Sequence, residues 1–65
     1  MDAYKNPKDL MPIVGDWVRF YQSGRLVIGC IEYIGEDTYY PWGLRLRTDI
    51  GSINIADALE ARRKI

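Results

Sequence analysis

The run LVIGCIEYI, from Leu26 to Ile34, is the longest apolar stretch of the chain and constrains it most. Val27, Ile28, Ile31 and Ile34 are β-branched, which favours a strand, and Gly29 in their midst predicts a bulge or sharp bend rather than a helix. A strand bent at its centre can serve two sheets, one on each side of the bend.

The flanking segments extend this pattern. Trp17 to Tyr21 alternates, with Val18 and Phe20 on one face and Trp17, Arg19 and Tyr21 on the other, and Ser23-Gly24 marks the turn that follows. Gly35 to Thr38 reads as an acidic loop. Pro41 cannot donate to a central ladder, so the third strand runs from Trp42 to Thr48, burying Leu44 and Leu46 and exposing Arg45 and Arg47. Thr48-Asp49-Ile50-Gly51 is a hairpin connection, and Ile53 and Ile55 supply the inner face of a fourth strand. Ala56 to Glu60 is too short for an independent helix and fits a single helical turn before a last short strand ending at Ile65. Alternation sends Asn54 to the face opposite Ile53 and Ile55, either toward solvent or toward a subunit interface.

With 65 residues the chain forms one domain and buries only about 60% of the surface it exposes when unfolded. One cysteine, Cys30, excludes an internal disulfide, and the absence of histidine excludes an imidazole acid or base and a zinc site of the usual kind. Without such staples, strands this short are best protected by closing on themselves. The expected fold is therefore all-β: a small antiparallel β-barrel of about five short strands with one helical turn before the last strand. Residues 13–65 form the barrel, and residues 1–12, broken by Asn6-Pro7 and Pro12, form a flexible arm.

Nine basic and nine acidic residues cancel, which removes any bulk attraction to nucleic acid or anionic membrane. The opening MDAYKNPKDLMP lacks the basic start and apolar core of a signal peptide, and no stretch approaches the roughly 20 apolar residues of a membrane helix. A cytoplasmic protein with no metal and no membrane partner is expected.

Six aromatics, Trp17, Tyr21, Tyr33, Tyr39, Tyr40 and Trp42, exceed what so small an interior can hold, and they are the candidate partner-binding residues. Arg45 and Arg47 with Arg62, Arg63 and Lys64 are the candidate phosphate contacts of a nucleic-acid-binding alternative.

Gly15-Asp16-x-Val18, Gly29-x-Ile31, the alternating third strand and the late Asp57-Ala58-Leu59-Glu60 resemble the SH3-like small-barrel superfamily. Within it, Gly15-Asp16-Trp17-Val18-Arg19, Ser23-Gly24, Gly29-Cys30-Ile31, Gly51-Ser52-Ile53-Asn54-Ile55 and Ala58-Leu59-Glu60 resemble the plasmid-borne, trimethoprim-insensitive type II dihydrofolate reductases. That resemblance implies a tetramer with a central pore in which Ile53, Asn54 and Ile55 face the ligands, with NADPH as cofactor. The chain departs from the family pattern at this segment: Asn54 stands for a glutamine, Ala56 for a tyrosine, and Phe20 or Tyr21 occupies the place of a lysine. The expectation is accordingly a non-catalytic binding or assembly module without a cofactor, which self-associates or docks on a protein through its exposed aromatics. An NADPH-dependent reductase with a degenerate pore is the enzymatic alternative.

Overall fold

A computed structural model describes residues 4–7, 9–39 and 43–63. The chain is all-β: β1 (Trp17–Gln22), β2 (Arg25–Glu36), β3 (Leu44–Thr48), β4 (Gly51–Asn54), a 3₁₀ turn at Ile55–Asp57, and β5 (Glu60–Arg62). All pairings are antiparallel, and the strand order is β4-β3-β2-β1-β5. β1 to β4 form a meander, and the chain then returns across the molecule to lay β5 beside β1. Among the described residues the ladder stays open, with β4 and β5 as its edges.

The β1–β2 turn follows from its residues. Ser23 and Gly24 both take positive φ, 52° and 80°, between the paired Gln22 and Arg25. Two successive left-handed residues match the twist of the flanking strands.

β2 is the organising strand. Its first half pairs with β1, from Gln22↔Arg25 to Trp17↔Cys30, and its second half pairs with β3, from Ile31↔Thr48 to Glu36↔Leu44. The register shifts between Ile31 and Tyr33, so the bulge lies two residues beyond the glycine expected to carry it. Gly29 has another function. A Cβ there would lie 2.6 Å from Thr48 Oγ1 and 2.8 Å from Thr48 Cβ, so the missing side chain lets β3 close over β2.

The inward faces of both halves build one core. Val18, Phe20, Ile31 and Leu46 are buried to within about 1% exposure, Ala58 joins them, and Val27, Ile34, Ile53 and Ile55 pack around the rim. Alternation assigned Val18, Phe20, Leu46 and Ile53 correctly. Ile55 also packs on the core, but from the 3₁₀ turn, because Asn54 ends β4 and caps that turn. Two other boundaries move: β2 runs on to Glu36, and the described part of β3 starts at Leu44.

The Gly15-Asp16 opening is a tertiary anchor. Asp16 is 1% exposed, accepts from Ile13 N–H at 2.9 Å and pairs with Arg63 Nε at 3.1 Å, while Gly15 N–H donates to Ile31 O. The described part of the arm follows the β5 edge: Lys5 and Ala61 exchange two 2.7 Å backbone hydrogen bonds, and Pro12 is buried.

Candidate functional site

Once the inward faces are occupied, the outward side of the sheet is what the strands leave at the surface. On β1 and β2 it carries Trp17, Arg19 and Tyr21 across from Cys30, Ile28 and Leu26. Tyr21 is 62% exposed, Leu26 52% and Ile28 45%. Trp17 is half-buried, between Cys30 and Arg62 in the strand register. Leu26 and Ile28 were not among the expected contact residues, although strict alternation along β2 would have turned both outward.

Past the bulge the same side carries two cross-strand rows, Tyr33–Arg47–Ser52 and Gly35–Arg45–Asn54. Each arginine lies by an aromatic ring: Arg47 Cζ is 5.0 Å from the Tyr33 centroid and Arg45 Cζ is 5.2 Å from that of Tyr39. Such contacts are worth about 0.5–1 kcal/mol at exposed sites and hold the long side chains in place. The expected contact residues Tyr21, Tyr33 and Tyr39 are all exposed, whereas Tyr40 and Trp42 lie outside the described residues.

Asn54 does leave the core side of β4, as alternation requires, yet it is only 3% exposed. The β2–β3 connection covers it. Its Nδ2 donates to Asp37 Oδ2 at 2.8 Å, and its Oδ1 accepts from Ala56 N–H at 2.8 Å, so both ends of the amide are engaged within the chain. Gly43, at φ 96°, keeps this approach open, since a Cβ there would come within 3.1 Å of Asn54 Nδ2.

Asp37 is the centre of that cluster. Burial alone would raise its carboxyl pKa. Hydrogen bonds from Asn54 Nδ2 and from Tyr39 N–H, with the Arg45 guanidinium at 3.0 Å, outweigh burial and hold it below the usual carboxylate value. A carboxyl lowered on folding stabilises the fold above its unfolded pKa of about 3.9, and that contribution is lost as pH falls through the folded value. Wild type should therefore be more stable than Asp37→Asn at pH 6, with the gap narrowing toward pH 2.5. Urea midpoints at the two pH values check this, and a gap that does not narrow contradicts it.

The described candidate phosphate contacts separate into two groups, Arg45 and Arg47 on β3 and Arg62 and Arg63 at the end of β5, with β2 and β1 between these strands. Arg45 pairs with Asp37, Arg63 with Asp16, and Arg19 with Glu60 at 3.2 Å. Arg62 lies 5.2 Å from the Tyr4 ring, which also carries Arg19 at 4.1 Å. Lys64 lies outside the described residues. Arg47 forms no ion pair among the described residues.

An open cleft of about 310 Å³ separates the arm from the 3₁₀ turn, lined by Asn6, Pro7, Met11, Ile55, Ala56 and Ala58, none of them ionisable. Cys30 Sγ lies 3.6 Å from Gly15 O, with its backbone N–H bonded to Asp49 Oδ1 at 2.9 Å. Among the described residues no group of three acidic, cysteine or histidine side chains is placed to hold a metal, and no helix is long and apolar enough to cross a membrane. No protein-family model, no curated protein and no solved structure matches the chain.

Proposed function

We propose that this chain is a small, non-catalytic SH3-like module that binds a protein surface through the outward side of its sheet. The observation carrying the reading is the division of the apolar residues: Phe20, Val18, Ile31 and Leu46 complete the core, while Tyr21, Leu26, Ile28, Tyr33 and Tyr39 remain 45–84% exposed. Exposed rings with polar tips supply contact area at low entropic cost. The SH3-like assignment draws on the meander with β5 returning beside β1, the long bulged β2, and the 3₁₀ turn before the last strand.

A module of this kind is favoured over a nucleic-acid binder because Arg19, Arg45 and Arg63 already have carboxylate partners and the net charge is zero. Polyanion binding draws on several cations released to phosphates at once. It is favoured over a reductase because, of the three residues the resemblance assigns to ligand, Asn54 is engaged by Asp37 and Ala56 while Ile53 and Ile55 pack against the core.

The test combines light scattering over a concentration series with selection from a random peptide display library, using the full chain. We expect either a mass above 7.5 kDa or a monomer that selects peptide ligands. Whichever association is seen should weaken at least tenfold in Tyr21→Ser/Ile28→Ser or in Tyr33→Ser, with circular dichroism unchanged. A monomer that selects nothing, association insensitive to both variants, or hydride transfer from NADPH to dihydrofolate would refute the module.

A further inference from the structure

We infer that the β2–β3 part of the outward side recognises an acidic segment of its protein partner, with Arg47 as the carboxylate-binding residue. The inference rests on the binding-module reading and adds to it the chemistry of the partner.

The two arginines of β3 have the same alternation and similar ring contacts, yet they differ in what remains available. Arg45 is drawn down by Asp37, at 3.0 Å, and its side chain is 22% exposed. It is a positioning residue, tying the β2–β3 connection and Tyr39 to the sheet. Arg47 is exposed, lies by Tyr33 at 5.0 Å, and has no ion pair among the described residues. The exposed acidic residues of the neighbouring strand, Glu32 and Glu36, do not pair with it.

Its surroundings suit a carboxylate. Tyr33 is directly across on β2, its ring lying back over Gly35, and Ser52 is directly across on β4, so the Arg47 guanidinium stands between an aromatic ring and a hydroxyl-bearing residue. Arginine presents paired donors that fit a planar carboxylate, and contact with a ring limits the side-chain entropy lost on binding. One available guanidinium beside one neutralised neighbour matches a single acidic side chain within a mixed peptide. It does not match a polyanion, which draws on a longer run of cations.

The experiment uses the same display library and the full-length chain. Selected peptides are expected to be enriched in Asp and Glu beside an apolar residue. Arg47→Gln should weaken them ten- to a hundredfold, and Arg47→Lys should restore part of the loss. Arg25→Gln, at the exposed first residue of β2, should leave affinity within twofold. Peptides without acidic enrichment, or equal losses in Arg47→Gln and Arg25→Gln, would overturn the inference. If such peptides still respond to Tyr21→Ser/Ile28→Ser, the module reading survives without it. Preferential binding of a dT12 oligonucleotide with a steep salt dependence would overturn both.

Discussion

Phe20→Ala is expected to leave most of the chain unfolded at 25 °C. Among the described residues Phe20 is the largest fully buried side chain, 1% exposed, and it packs in a core with Val18, Ile31, Leu46 and Ala58. Truncating a buried phenylalanine costs about 3–5 kcal/mol, because the transfer energy of the ring is lost and the space it leaves only partly collapses. A chain of this length has a total stability of about 3–10 kcal/mol. The loss therefore consumes much or all of the margin, with no disulfide to limit the unfolded ensemble. Urea denaturation followed by tryptophan fluorescence measures it. A midpoint within error of wild type would mean that the core is not assembled around Phe20.

Gly29→Val should come close to that effect through the opposite fault, overpacking. The first added carbon would stand 2.6 Å from Thr48 Oγ1, 2.8 Å from Thr48 Cβ and 3.2 Å from Ile50 Cγ1. Two further methyls have no space without separating β2 from β3. Inserting carbon into a packed site costs about 1–3 kcal/mol and occasionally more, which exceeds the strand propensity gained by replacing glycine. The gentler Gly29→Ala supplies the diagnostic. Its cost should fall when Thr48 is also changed to glycine, since the crowding atoms Oγ1 and Cβ are then removed. Equal costs of Gly29→Ala in both backgrounds would assign the glycine to backbone conformation instead.

That glycine marks where local pattern and three-dimensional structure part. The sequence around it predicts a long strand with an irregularity, and such a strand exists over Arg25–Glu36. The irregularity falls at Ile31–Tyr33, where β2 passes from pairing with β1 to pairing with β3, a handover set by the partner strands and not by the glycine. Asn54 is a second case. Period-two alternation correctly sends it away from the core, but alternation is silent on whether that side meets water, and Asp37, 17 residues earlier, covers it. The candidate face was legible in part. Tyr21, Tyr33 and Tyr39 stand out as excess aromatics, whereas the difference between Arg45 and Arg47 does not, since both occupy equivalent positions in the same alternating strand.

By itself the sequence determines the all-β character, the Ser23-Gly24 turn and the inward direction of Val18, Phe20, Leu46 and Ile53. These follow from dihedral preferences and a two-residue period, which act within a few positions of chain. Tertiary structure alone decides that β5 returns to β1, where Arg19 meets Glu60, that Asp16 holds Arg63, that Asp37 holds Asn54, and that Lys5 docks on Ala61. Each of these joins residues far apart in sequence, such as the 41 positions between Arg19 and Glu60. Burial and charge pairing at such separations depend on which surfaces the folded sheet brings together, and no local window contains both partners.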